Sequence, residues 1–365
     1  MLARRLFRIA VFSYGLPVEG QKRGGIERVA HDLSNGLAKC GHKVTILTHD
    51  PRPAEALYEV RLLPWKKFVS SWLGRRLTMG YLGNILALLP NYREFDLIVA
   101  LGDSLLLPLA RKPLVRVMCG SALGEAKSAS SPIRFVMQLG VYAQELLTGL
   151  TQKGCVAISH NTRRDNPFVS HVIPIGVDLR KFSNAAAQRT DEPSILFVGA
   201  LDGRKRGRLL LEWFTTVVRP QIKNARLFMV CAPGPTVDGV TYYKGISDAE
   251  LAALYRSAWI YASPSSYEGF GLPYVEAMAS GMPVVATPNP GSLEVLGNGE
   301  FGLLVADADF ARVLVELLSD EKQRHRLTTN GLERAQEYSI DSTVEQYEQL
   351  FVTMCASKDQ LTQHV

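Results

Sequence analysis

Short apolar runs alternate with longer stretches of helical period along the whole chain. In the first half the runs are FRIAVFS, HKVTILT (42–48), YEVRLLP, FDLIVAL (95–101), LVRVMCG (114–120), CVAIS and HVIPIG. Each has the length and the content of β-branched and aromatic residues expected of a buried strand. Between the first two lies IERVAHDLSNGLAKCG, where Ile26, Val29, Ala30, Leu33 and Leu37 recur at helical spacing, and Gly41 is placed to stop the helix. The second half repeats the theme with SILFVGAL (194–201), ARLFMVC (225–231), WIYASP (259–264) and PVVATP (283–288). Helices are predicted near 208–219, 247–257, 272–280 and 308–318, followed by a helical tail from 320 to 356. Strand–helix alternation of this kind predicts α/β architecture with doubly wound parallel sheets. The polar stretch Ser183 to Glu192 reads as a linker. It divides the chain into domain 1–186, domain 187–345 and a tail, 346–365, that can cross back to the first domain. Two Rossmann-like domains facing across a cleft is the expected arrangement, with ligands outside the carboxyl ends of the strands.

Composition agrees and narrows the choices. A length of 365 residues suits about two domains, and an apolar content of 47% with 21% charged residues suits a folded chain with a sizeable core. The five cysteines have neither metal-ligand nor redox spacing and read as reduced thiols of a cytoplasmic protein. The amino terminus, MLARRLFRIAVFSYG, has a short apolar run interrupted by Arg8, and reads as a first strand rather than a signal peptide. No stretch approaches the ~18 apolar residues that span a bilayer. The net charge of +6 is uneven: residues 1–186 hold 25 basic and 13 acidic residues, a net +12, and the remainder is −6. Such asymmetry points to domains with different partners.

The chemistry concentrates in YASPSSYEGFGLPYVEAMASGMPVVATP. A strand ends at Ser263-Pro264, and Pro273 suits the first turn of a helix beginning near Leu272. Gly269 and Gly271, flanking Phe270, let the backbone approach a ligand, and the free N–H groups of the helix start suit a diphosphate. Glu276, a turn inside the helix, can accept from hydroxyls such as those of a ribose, and Glu268, before the turn, can do so for a sugar. Taken alone, two glutamates eight apart also fit a loop with solvated side chains. Lys205, among Arg204, Arg206 and Arg208, has a surface charge as its alternative reading. GxGxxG is absent after the first strand, and there is no HExxH, zinc cluster or P-loop. Asp307-Ala308-Asp309, the one D-x-D triplet, opens a predicted helix after a strand and reads as a cap, so no metal is expected.

From 172 to 305 the chain resembles the glycosyltransferase group 1 family, also called family 4, of GT-B fold. The resemblance is carried by IPIGVDLRKF, FVGALDGRKRGRLLLEWF, ISDAELAALYRSA, PSSYEGFGLPYVEAMASGMPVVAT, GSLEV and FGLLV, and by the amino-terminal GGIERVAHDLSNGLAKCGHKVTILT. It implies that Glu268 meets hydroxyls of the donor sugar and Glu276 holds the ribose. The backbone of Gly271 and Leu272, in the turn from Gly269 through Phe270, would bind the distal phosphate. Lys205 would neutralise the departing diphosphate, the backbone near Gly245 and Ile246 would meet the base, and Gly24 and Gly25 would flank diphosphate and acceptor. Where the family carries an arginine and a histidine, this chain has Ala200 and Cys119, and a neighbouring arginine can supply the missing charge.

The implied function is retaining transfer of a sugar from a UDP- or GDP-sugar to a glycan or lipid-linked hydroxyl, without metal or cofactor, as in cell-surface polysaccharide or glycolipid synthesis. A nucleotide-sugar-binding protein without transfer and a sugar-nucleotide epimerase are the alternatives. Residues 65–76, WKKFVSSWLGRR, place Trp65, Phe68, Val69, Trp72 and Leu73 on one helical face beside four basic residues. That pattern fits an interfacial helix on anionic lipid at the inner face of a membrane, or a core-facing helix. No nucleic-acid module accompanies the charge.

Overall fold

A computed structural model of the chain describes residues 5–18, 25–64, 67, 83–102, 104–129, 131–183 and 188–362, with side chains through 356. The chain forms two compact units, Met1–Gly176 with Ile340–Val365, and Val177–Ser339.

In the first unit seven strands, β1 (Arg8–Ser13), β2 (Lys43–Thr48), β3 (Glu59–Leu62), β4 (Leu97–Leu101), β5 (Leu114–Met118), β6 (Cys155–Ala157) and β7 (His171–Val172), lie in the order β3-β2-β1-β4-β5-β6-β7. Every pairing is parallel, with Ile9 opposite Val44 on one side and Leu97 on the other. Strands β4 and β5 are buried at every residue; β4 reads as an unbroken apolar run, and in β5 the run is broken only by the buried Arg116. Edge strand β3 is mostly exposed. Helix α1 (Gly25–Lys39) buries Val29, Ala30, Leu33 and Leu37, whereas Ile26 is exposed, so the core-facing stripe starts at Val29. Gly41 closes it with φ +92°, and His42 N–H donates to the Leu37 carbonyl. Helices α2 (Gly83–Leu86), α3 (Ala122–Lys127), α4 (Pro132–Thr151) and α5 (His160–Asp165) complete the described part before Gly176.

The second unit has six parallel strands, β8 (Ser194–Val198), β9 (Arg226–Val230), β10 (Val240–Tyr243), β11 (Ile260–Ser263), β12 (Val284–Ala286) and β13 (Leu303–Leu304), in the order β10-β9-β8-β11-β12-β13. Its longer helices are α6 (Gly207–Trp213), continued by a π-helical turn and a short α-turn to Gln221, α7 (Asp248–Ser257), α8 (Leu272–Ala279), α9 (Pro290–Val295), α10 (Asp307–Ser319) and α11 (Glu321–Gln336). Phe197, Leu210, Phe214, Leu227, Met229, Phe310 and Leu314 are among the core residues that join sheet to helices, and Trp213 stacks on Phe310 at 4.8 Å. The described residues of the polar stretch, 183 and 188–192, lie within this unit. Arg189 is half-buried and donates to the carbonyls of Tyr255, Ala258, Ser280 and Gly281, at the ends of α7 and α8; burial lowers its pKa to about 10.

Strand β10 is absent from the sequence reading, and β13 enters it only as a strand without bounds ahead of Asp307: both are short edge strands with partial burial. The predicted tail is two helices, α11 and α12 (Ile340–Thr362). The break at 337–339 has a cause, since Tyr338 packs edge-on against Phe270 and its carbonyl accepts from Val177 N–H at 2.8 Å. Helix α12 belongs to the first unit and packs on α1, where a Cβ at Gly36 would come within 2.6 Å of Val344.

Candidate functional site

In each sheet the strand order reverses once: between β1 and β4 in the first unit, and between β8 and β11 in the second. The loops leaving the carboxyl ends of two such strands diverge and leave a crevice, the usual ligand site of an open α/β sheet. In the second unit those two loops are the ones that carry Lys205, after β8, and Glu268, after β11.

The β8 loop tightens into a 3-10 turn, Gly203–Lys205, before α6. Gly207 is needed at the helix start, because a Cβ there would stand 2.8 Å from the Ala200 carbonyl oxygen. The β11 loop runs to Gly271, whose φ of +100° sets the left-handed turn into α8, with Pro273 in the first helical turn. Between the loops, Ser266 N–H donates to the Arg204 carbonyl at 2.9 Å.

Glu268, 5% exposed, is the centre of the cluster. Its Oε1 lies 2.5 Å from Lys205 Nζ and its Oε2 2.7 Å from Arg204 Nη1. Arg204 Nη1 also donates to the Tyr267 carbonyl at 2.7 Å. Burial alone would push the Glu268 carboxyl upward, but the charges and hydrogen bonds of Lys205 and Arg204 outweigh it and hold the group below the usual carboxylate range. One carboxylate facing two cations leaves a net positive charge beside the amino terminus of α8. That environment attracts an anion. Glu276 is buried one turn inside α8.

Beneath the turn lies a buried polar frame. Asn289 Nδ2 donates to the carbonyl of Ser265 at 3.0 Å and to Tyr274 Oη at 3.2 Å, while Thr287 Oγ1 donates to the same Ser265 carbonyl at 2.8 Å. Gly291 N–H donates to the Glu268 carbonyl at 3.0 Å, and a Cβ on Gly291 would reach 2.5 Å from the Phe270 oxygen. The start of α9 is therefore pressed directly onto the Glu268–Phe270 segment.

Of the residues singled out in sequence, the structure brings together Lys205, Glu268, Gly269, Phe270, Gly271, Leu272 and Glu276 around one turn. Ile246 is half-buried at the carboxyl end of edge strand β10, separated from the β8–β11 switch by β9. Gly25 opens α1 in the first unit, and Gly24 lies outside the described residues. Asp307 and Asp309 are both engaged, with Arg206 and Arg312. Among the described residues no group of His, Cys, Asp or Glu is arranged to hold a metal ion. Cys119 follows β5, and burial pushes its thiol up to about 12, so it stays protonated at neutral pH. Asn289 and Gly291 are not singled out by sequence reasoning, and Arg204 enters it only within a basic run and as an unnamed neighbouring arginine. Asn289 and Gly291 were visible only as turn-forming residues in NPGS.

Residues 236–334 match the family model for glycosyl transferases group 1, and residues 23–122 match that for glycosyltransferase family 4. An MMP alpha-(1->4)-mannosyltransferase of Mycolicibacterium hassiacum is 33% identical over 242 residues, 62% of this chain and 55% of that protein. The chain spans about half the length of the curated relatives it matches. Sucrose-phosphate synthase from Thermosynechococcus elongatus shares the fold with a TM-score of 0.77 at 22% identity, over 96% of this chain and 99% of that one. Anabaena HepE, solved in complex with UDP-glucose, shares it with a TM-score of 0.69 at 16% identity, over 96% of this chain and all of that one (100%).

Proposed function

Since the chain is a group 1 glycosyltransferase-family protein of GT-B fold, we propose that it moves a sugar from a nucleoside-diphosphate sugar, UDP- or GDP-linked, to a hydroxyl of a glycan or lipid-linked acceptor with retention of anomeric configuration. The observation that carries this reading is the Lys205–Glu268–Arg204 cluster at the β8–β11 switch, beside the amino terminus of α8.

The chemistry follows from charge. As the bond between the anomeric carbon and the diphosphate oxygen breaks, negative charge grows on the phosphate. A cation already in place stabilises that charge without reorganising. Lys205 takes this role, with Arg204 as a second cation, while the Gly271 and Leu272 amides at the α8 start receive the distal phosphate. Glu268 accepts from hydroxyls of the donor sugar and Glu276 from those of the ribose. Ile246 meets the base, and Gly24 and Gly25 flank the diphosphate and acceptor. Retention follows from departure and attack on one face, with the leaving phosphate taking the acceptor proton. This scheme needs no covalent nucleophile, metal or cofactor, and the protein supplies position and electrostatics.

The acceptor side is proposed to work at the cytoplasmic face of a membrane. The segment 65–76 that suggested it lies, apart from Lys67, outside the described residues. Among the described residues no helix is long and apolar enough to cross a bilayer. Helix α4, however, leaves Ile133, Val136, Leu139, Leu147 and Leu150 exposed, as an interfacial surface would require.

The direct test incubates the purified protein with a panel of UDP- and GDP-sugars and acceptors, reading nucleoside-diphosphate release and, by NMR, the anomer formed. Release with an axial donor linkage kept axial supports the reading. Donor binding without release across the panel would favour a binding protein, and acceptor-independent interconversion of free nucleotide sugars would favour an epimerase.

A further inference from the structure

The residue after Lys205 is held in an unusual way. Arg206 has φ +50°, in the left-handed region that side chains disfavour and glycine adopts freely. Its guanidinium makes three bonds to two distant segments. Nε donates to the Pro264 carbonyl at 2.5 Å, while Nη1 and Nη2 donate to Asp307 Oδ2 and Oδ1 at 2.7 and 2.9 Å. Pro264 lies where β11 gives way to the Glu268 loop, and Asp307 is the first residue of α10.

We propose that Arg206, with Asp307 as its counter-ion, is a positioning residue that locks the turn carrying Arg204 and Lys205 against Glu268. The ion pair alone would contribute little, because Asp307 is half-exposed and screened by solvent. What the guanidinium supplies is direction. Its planar fork fixes two bonds to the carboxylate while the third ties the same plane to the β11 exit, a combination a lysine ammonium does not provide. Freedom elsewhere in the loop is already small. Gly207 abuts the Ala200 carbonyl, and Gly207 N–H donates to it at 3.2 Å. Rotation of residues 203–206 is the motion left, and it would carry Arg204 and Lys205 away from the Glu268 oxygens. The strained φ is then the local cost of placing a forked side chain, rather than a glycine, at the one position where it bridges three segments.

The kinetic arm of the test rests on the proposed transferase activity; the structural arm does not. Arg206→Gly suits the backbone and removes only the fork, so the unfolding midpoint is expected to stay unchanged or rise. Amide hydrogen exchange at Ser266, whose N–H donates to the Arg204 carbonyl, is expected to quicken at least tenfold. Turnover is expected to fall tenfold or more, with KM for the donor changing less than threefold. Exchange that quickens in a protein with no turnover on any donor would leave the positioning role standing and remove the transferase reading. Unchanged exchange, or unchanged turnover in an active enzyme, would overturn the role of Arg206.

Discussion

At the β8–β11 switch a buried carboxylate holds two cations beside a helix amino terminus. At the β1–β4 switch the described side chains are of another kind. Tyr14 stacks on His49 at 6.5 Å, Ser13 Oγ donates to the Gly15 carbonyl, and Asp50 accepts the Leu16 N–H at 3.2 Å. Yet residues 1–186 carry the net +12, and the half with the cationic cluster carries −6. Three described basic residues of the first unit are engaged away from that switch. Arg8 pairs with Asp96 at the amino ends of the strands, Arg61 pairs with Glu94 at the sheet edge, and Arg116 is buried under Ser104. Net charge does not locate such a cluster; what marks the candidate site is the placement of two cations around one buried acid.

This contrast can be broken experimentally. The largest expected effect is on catalysis: Lys205→Ala should lower turnover by about 10²–10³-fold, the loss typical of one preplaced electrostatic donor. Cys119→Ser, at the carboxyl end of β5 in the other unit, should change it by less than about threefold, because the swap is nearly isosteric and replaces a protonated, uncharged thiol with an uncharged hydroxyl. Initial rates of nucleoside-diphosphate release check both. Next comes Gly291→Ala. Its new methyl would meet the Phe270 oxygen at 2.5 Å and displace the Glu268 turn, so stability should fall by about 1–3 kcal/mol in urea unfolding and donor KM should rise.

Glu268→Gln sharpens the comparison further. It leaves two partly exposed cations without their acid, and a destabilisation of about 1–2 kcal/mol is expected, below that of a fully buried pair. The pH dependence follows with a definite sign. The folded-state pKa of Glu268 lies below its ordinary 4.5. Its stabilising contribution is therefore fully present above that value and is lost as pH falls below about 4.5 through the folded pKa. The stability difference between the wild type and Glu268→Gln should shrink over that window and stay constant above it. Urea unfolding at successive pH values measures it; a difference that grows on acidification would mean that the cations do not hold the carboxylate charged.

Much of this was legible in the chain. Predominantly apolar runs, unbroken in β4, marked the central strands, because burial on both faces removes the regular polar alternation of a half-exposed strand. Gly271 and Pro273 marked the start of α8, since left-handed turns and first helical turns have narrow residue preferences. Edge strand β10 and the bounds of β13 were not legible, because four and two residues with partial burial carry little pattern. Nor was the pairing of Glu268 with Arg204, which depends on two loops 64 residues apart in sequence meeting at the carboxyl ends of adjacent central strands. The same holds for Arg206, where composition suggests only one more surface charge and the fork to Pro264 and Asp307 exists only in three dimensions.

Glu268 and Glu276 are proposed to bind different parts of one nucleoside-diphosphate sugar. Calorimetric titration with the free nucleoside diphosphate and with its sugar conjugate, on the wild type, Glu268→Gln and Glu276→Gln, tests it most directly. Glu276→Gln is expected to weaken both ligands about equally, because the ribose is common to them. Glu268→Gln is expected to weaken the sugar conjugate at least tenfold relative to the free diphosphate. Equal losses for both ligands in Glu268→Gln, or a wild type that binds neither, would contradict the assignment.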